Sequence, residues 1–486
     1  MLGADRDIKG FLAKCKEAAE YIYGQASAGR EILVIGHNDA DGLSSIGIVA
    51  GSLADLGARV MARSVFRLDD LVASIPQGYR GLPVIVDMGG GSIDELKSKI
   101  GDCDIVILDH HHPDQPEAPS GWIHVNPHIY GISGDWEISA SGVCYLVTRE
   151  ILKGNSKYAA VAVVGALGDL QDRGEKRRLL SLNEEIVKEA QERSLLSVSE
   201  DFVFQGRTFR PIHQAIASTH TPYIPGLSGD EAACLALLSE AGIEVREGDR
   251  WRTLSDLSDE EKSSLYNSIV AHLARQGYPP EIARDLIATV YELVREDRSS
   301  GLRDAREFSQ LLNACGKTNK AWLGIGVAMG YRSWLVLEAH EVLEQYRSSL
   351  KRGLEIAMKN KEMMHHIVIV RVSDEVDVRQ VSSIASILSN SQLVSRERPI
   401  LVVGQEGGMI KVSARASPSL VEMGMNMGEI MREAASKFSG RGGGHKIAAG
   451  AEIPADRLTL FLLEVDRLVG NQLNKLGAQA TLDSNL

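Results

Sequence analysis

The feature that most constrains this chain is a series of short apolar runs, each ending on acidic or histidine residues. Ile32 to Ile35 has the mostly β-branched, unbroken look of a buried parallel strand, and it leads into Gly36-His37-Asn38-Asp39-Ala40-Asp41-Gly42. A Gly-Leu-Ser-Ser run and an apolar-periodic segment follow, which predicts a helix. Leu82 to Val86 ends on Asp87, and Asp104 to Leu108 ends on Asp109-His110-His111-His112. Shorter strands are predicted near Arg59 to Val65 and Trp122 to Asn126. Strands alternating with helical patterns give an α/β fold with a doubly wound parallel sheet. In such a sheet, the carboxyl ends of the strands are the ligand edge.

The first cluster has the chemistry of a metal site. His37, Asp39 and Asp41 alternate, so in extended chain they converge on one centre. Carboxylate oxygens with one imidazole suit Mn²⁺ or Mg²⁺ better than a thiolate-loving metal. Alone, an Asp-Ala-Asp-Gly run is more often a turn or helix cap. The repetition of the theme at other strand ends changes that balance. A further carboxylate, Asp169, follows the run Ala159 to Leu167, which is apolar nearly all round and predicts a buried helix within Ser156 to Leu167. His37, Asp39, Asp41, Asp87, His110 and Asp169 are more ligands than one divalent ion needs. They suit two ions ~3.5–4 Å apart that share a bridging carboxylate, an arrangement suited to phosphoester hydrolysis. Asp87, alone at a central strand end, is the expected bridge.

Composition narrows the partners. With 65 acidic and 53 basic residues the formal charge is -12, which argues against a general polyanion-binding surface but leaves room for a local basic groove or a metal. Aromatic residues make up 5%, so a grip on single-stranded nucleic acid would rely on phosphate contacts and a few rings. The five cysteines, Cys15, Cys103, Cys144, Cys234 and Cys315, are scattered without a CxxC pair, as in a reduced intracellular chain without structural zinc. No signal-peptide core or membrane-spanning apolar run is evident, so the expected location is cytoplasmic, with no membrane partner.

Asp5 to Ala28 and Ser139 to Leu152 read as helices, and Glu175 to about Leu350 as largely helical. His213, His220 and His272 lack partners at ligand spacing. The stretch from Arg303 to Lys317 joins basic residues to a helix and a glycine stop; it reads as a solvated helix face more readily than as a phosphate contact. A charged helix from Trp334 to Lys361 is the expected connector. Beyond it, Ile367 to Val372, Ile400 to Val403 and Met409 to Ala414 read as strands of a smaller α/β domain, and Gly477 to Leu486 as a frayed end. The expected domains are 1–200 for the parallel-sheet domain, 201–345 for a largely helical insertion that is a candidate partner-binding domain, 346–475 for the smaller domain, and a tail at 476–486.

Asp109-His110-His111, with His37-Asn38-Asp39-Ala40-Asp41 before it, Asp87 between, Asp169 after, and Gly442-Gly443-Gly444-His445 far downstream, resembles the DHH phosphoesterase superfamily with its DHH-associated C-terminal domain. Within it the chain resembles the RecJ-like single-strand-specific exonucleases. It looks most like the archaeal forms, which associate with the GINS complex and resemble the DHH-derived subunit of the eukaryotic CMG helicase. His37 at the head of the first motif, the helical insertion and the Leu311-Leu312-Asn313-Ala314-Cys315-Gly316 stretch favour that branch.

The resemblance implies two Mn²⁺ or Mg²⁺ ions held by the six ligands, with the active site in a cleft between a large and a small lobe. It implies that His111 meets the scissile phosphate and that Asp109 orients a neighbouring imidazole. Arg415, Gly442, Gly443, Gly444 and His445 would bind phosphate or a terminal nucleotide, the glycines by offering consecutive backbone N–H groups. Lys446 stands where many relatives have proline, and His112 has no role carried over. The implied function is release of mononucleotides from single-stranded DNA or RNA, with attachment to GINS and the replicative helicase. Two alternatives stand beside it, a phosphodiesterase or phosphatase on short oligonucleotides or cyclic dinucleotides, and a non-catalytic replication scaffold.

Overall fold

The structure, a computed structural model, describes residues 6–101, 103–153, 157–219, 222–278, 281–372, 376–390 and 397–483. His220 of the sequence reading lies outside them. The chain forms two compact units, Met1–Ser218 with Gly229–Glu344, and Thr219–Ser228 with Gln345–Leu486.

The first unit begins with helix α1 (Ile8–Ser27), capped by the Asp7 carboxylate, which accepts the Gly10 N–H at 2.8 Å. The expected α/β pattern then follows as β1 (Ile32–His37), α2 (Ala40–Asp55), β2 (Val60–Val65), α3 (Leu68–Ser74), β3 (Leu82–Val86), α4 (Ile93–Ile100), β4 (Ile105–Leu108) and β5 (Trp122–Val125). All five strands are parallel, in the order β2-β1-β3-β4-β5. From β1 the chain moves first to one side and then to the other, so the sheet's switch point lies between β1 and β3, where a ligand crevice opens.

Unbroken apolar strands are buried on both faces. Leu33, Ile35, Ile85, Ile105 and Ile107 pack with Leu71, Ile93 and Leu96 of α3 and α4 on one side. On the other, α2 lies along β1, and α5 (Ala140–Ile151) and α6 (Ala159–Gly168) pack on α2. Ala159 to Leu167 is buried throughout, as its all-round apolar pattern requires. Helix α7 (Ser181–Glu192) packs beside α6.

One expectation for the middle of the chain is refined and another corrected. The segment read as largely helical contains an antiparallel pair, Leu196–Phe202 with Ile287–Leu293. Its signal was Ile287-Ala288-Thr289-Val290-Tyr291, rich in β-formers. The helix Ala305–Lys317 is not a solvated face: Phe308, Leu311, Leu312, Ala314, Cys315 and Gly316 are buried, and it packs on α2 and α6. Its basic residues concealed a strong apolar stripe.

The second unit holds a six-stranded sheet in the order Lys361–Met363, Val368–Arg371, Ile400–Glu406, Met409–Arg415, Ala448–Pro454, Arg441–Gly444. Alternate strand residues feed two cores: Ile369, Leu401 and Val412 on one side, Val368, Val370 and Val402 on the other. The helix read as a connector runs Trp334–Lys359. The triple glycine, expected to offer consecutive backbone N–H groups, is the edge strand Arg441–Gly444 paired with Ala448–Pro454. Strand N–H groups point alternately to opposite sides, so alternate glycines, rather than consecutive ones, present theirs to one side. The helix Leu458–Asp483 continues through most of the segment expected to fray, and 484–486 lie outside the described residues.

Candidate metal centre

The six expected ligands come together in the first unit at the carboxyl edge of the parallel sheet. His37 ends β1, and Asp39 caps α2 by accepting the Gly42 N–H at 3.0 Å. Asp41 sits in the first turn of α2 and accepts the N–H groups of Ala140 and Ser141 at 2.8 and 3.0 Å, so the N-terminus of α5 steadies its charge. Gly165 in α6 makes room for this approach, since a Cβ there would stand 2.5 Å from Asp41 Oδ1. Asp87 follows β3 with a left-handed φ of 56°, rare for a non-glycine residue and found where the surroundings over-determine the backbone. Asp169 closes the C-terminus of α6.

These side chains form two groups whose ligand atoms lie within 4.8 Å of one another, His37–Asp39–Asp87 and Asp41–His110–Asp169. Asp87 joins them: its Oδ1 is 3.4 Å from His110 Nε2, and its Oδ2 is 3.9 Å from His37 Nδ1. A third group adds His111 to Asp87 and His110. His110 Nδ1 donates to the Gly134 carbonyl at 2.7 Å, which leaves Nε2 facing the acids. His111 Nδ1 is tied to Asp109 Oδ1 at 2.8 Å, and Asp109 also accepts the backbone N–H groups of Gly90, His110 and His111. His112 leaves both clusters and stacks on His128, ring centres 3.9 Å apart.

The donor set fits divalent cations. Among the described residues Asp87 Oδ2 is buried with no hydrogen-bond partner, a costly state for an ionised carboxylate that a cation would relieve. Burial, then Asp39 and Asp41, hold the Asp87 carboxyl far above its ordinary range. Burial likewise pushes Asp169 up to about 6 despite the counter-pull of His110. For His110 burial opposes protonation, but Asp169, Asp41 and Asp109 overcome it and hold the imidazole up to about 9. Burial would raise Asp39 also, but His37 at 2.8 Å carries it below the usual carboxylate range. Carboxylates crowded in this way keep protons or mutual ion pairs that a metal displaces.

The DHH family N-terminal domain matches residues 31–166, the DHH-CID domain residues 204–287 and the DHHA1 domain residues 365–471. An uncharacterised protein of Methanocaldococcus jannaschii is 31% identical over 451 residues, 91% of this chain and 94% of its own. The single-stranded-DNA-specific exonuclease RecJ of Thermus thermophilus is 27% identical over 169 residues, 32% of this chain and 25% of that protein. Its crystal structure in complex with Mn²⁺ superimposes with a TM-score of 0.59 and 18% identity over 94% of this chain. The chain is a RecJ-like member of the DHH superfamily. It spans 55% of the length of that crystallised RecJ. The RecJ-like fold also superimposes on CDC45 of Entamoeba histolytica, with a TM-score of 0.65, 11% identity, and coverage of 94% of this chain and 99% of that one.

Several residues that serve this RecJ-like site were not legible in the sequence. Asn313 Oδ1 accepts the Ala40 N–H at 2.9 Å from 273 residues away, and Asn38 Nδ2 reaches the Gly316 carbonyl at 3.3 Å. Lys317, on the same helix, is close enough to His37 to oppose its protonation. Gln171, fully buried, donates to Asp169 Oδ2 at 2.8 Å and to the Gly134 carbonyl at 2.7 Å, while Asn183 donates to its Oε1 at 2.7 Å. One amide thus orients Asp169 directly and His110 through a shared carbonyl. Only the place of Gln171, two residues after Asp169, hinted at this.

Arg415, Gly442, Gly443, Gly444 and His445 lie in the second unit. Arg415 donates to Ser386 Oγ, Ser413 Oγ and the Ala414 carbonyl at 3.1, 3.0 and 2.9 Å. Burial lowers its guanidinium to about 10. His445 N–H donates to the Ala448 carbonyl at 2.8 Å, closing the turn after the glycine strand.

Proposed function

We propose that this chain is a two-metal-ion-dependent exonuclease that hydrolyses phosphodiester bonds of single-stranded DNA or RNA and releases mononucleotides. The observation that carries the proposal is the pair of ligand groups joined through Asp87 at the ligand edge of the sheet. Two divalent cations, Mn²⁺ or Mg²⁺, would supply water activation and charge compensation at the phosphoryl oxygens. The chain's own groups do the rest. Asp109 holds His111 by Nδ1, leaving Nε2 of a half-exposed ring for the phosphate and its developing charge. Arg415, a part-buried guanidinium bonded only to hydroxyls and carbonyls among the described residues, suits an anion, and with Gly442, Gly443, Gly444 and His445 it is the proposed grip on phosphate or a terminal nucleotide. All six ligands being present favours catalysis over a purely scaffolding role. By the archaeal resemblance the chain also works with GINS at the replication machinery, which co-purification of the two tests.

Labelled single strands incubated with Mn²⁺ should shorten to mononucleotides. Asp87→Ala should slow this more than about a hundredfold, because groups that only orient ligands already contribute about 10–100-fold. No cleavage by wild type, or undiminished cleavage by the variant, rejects the reading. Faster turnover of dinucleotides than of long strands moves it to a small-substrate phosphodiesterase. DNA and RNA strands blocked at either end give polarity and sugar preference.

A further inference from the structure

Aromatic residues are scarce in this chain, and one of them stands unburied beside the metal centre. Phe66 directly follows β2, whose parallel register with β1 sets Val65 opposite His37, so Phe66 lies one residue further along the ligand edge. The residue is 42% exposed. It lies 6.5 Å from the His37 ring, centre to centre and within 23° of parallel, and the Arg67 guanidinium carbon is 5.8 Å from its centroid. The core beneath holds Val65 and Leu71. The backbone holding it is firm, because Arg67 precedes α3 and its N–H donates to Asp70 Oδ2 at 3.1 Å. A flat apolar surface, a guanidinium over it and Lys317 near the adjoining His37 match a nucleotide, with its base on the ring and its phosphates by the cations.

We propose that Phe66 is the stacking platform for one nucleobase of the strand whose phosphate occupies the metal centre. This rests on the exonuclease reading and deepens it. Every base has a π-face, so one ring adds affinity without sequence preference, and a chain poor in aromatics needs few such contacts.

The test measures affinity and KM for single-stranded oligonucleotides carrying one abasic residue, moved position by position. Wild type should lose on the order of 5- to 150-fold in affinity when the gap reaches the platform, the range for one stacked base. Phe66→Ala should bind the intact strand as weakly as wild type binds that gapped one, show no further penalty from the gap, and keep kcat and Mn²⁺ affinity. Phe66→Trp should restore the difference. Intact-strand binding by Phe66→Ala within twofold of wild type, or a gap penalty that survives in it, overturns the proposal alone. A wild type that binds strands with the penalty but cleaves none overturns the exonuclease reading and leaves the platform standing.

Discussion

Below about pH 9 the His110 imidazole holds a proton against burial because Asp169, Asp41 and Asp109 surround it, and Asp169 itself keeps a proton up to about 6. Metal ligation needs the imidazole neutral and the carboxylate charged, so a cation entering Asp41–His110–Asp169 must displace those protons. The sign follows: affinity rises with pH. Between about pH 6 and 9 it should fall tenfold for each unit of acidification, and more steeply below 6, where Asp169 adds a second proton. At pH 7.5 at least one proton should leave per bound Mn²⁺, read by calorimetry in buffers of different ionisation enthalpy. A pH-independent affinity over that range would contradict the assignment of His110. Asp87 shows the same physics: among the described residues its buried Oδ2 has no hydrogen-bond donor, and a bound cation would compensate its charge.

At the scale of elements, the ligand edge is fixed by five parallel strands, but its rim is finished by the helix Ala305–Lys317. That helix comes so close that a Cβ on Gly316 would lie 1.6 Å from the Asn38 carbonyl oxygen. Alanine normally favours a helix over glycine by about 1 kcal/mol. Here that gain is outweighed by displacement of backbone, and overpacking of this kind costs about 1–3 kcal/mol. Gly316→Ala should therefore lower the melting temperature and weaken Mn²⁺ binding at His37–Asp39–Asp87, read by thermal unfolding and calorimetry. An unchanged melting temperature would mean the loop at Asn38 yields freely. The three central strands of the sheet were legible because each carries an unbroken apolar run. This helix was misread because charged residues flank its stripe, and its partner lies far back in the chain.

Across the whole molecule, the candidate metal centre and the proposed phosphate grip reside in different compact units. Arg415→Ala in the second unit should raise KM for single strands about tenfold or more, as expected for loss of a charge-assisted hydrogen bond worth about 1.5–3 kcal/mol. It should leave Mn²⁺ affinity and the cleavage of very short substrates nearly unchanged. Equal loss on dinucleotides and long strands would remove Arg415 from the grip. No helix among the described residues is long and apolar enough to cross a membrane.

The sequence by itself determined the parallel sheet, the position of six candidate metal ligands at strand and helix ends, and the superfamily, because apolar runs and local spacing are encoded in neighbouring residues. Only the tertiary structure decided that Asp87 joins two ligand groups, that Gln171 steadies Asp169 and the carbonyl behind His110, that Asn313 completes the first loop, and that the triple glycine is an edge strand. Those are meetings between segments distant in the chain, and they are selected by packing of whole faces, which no local pattern records.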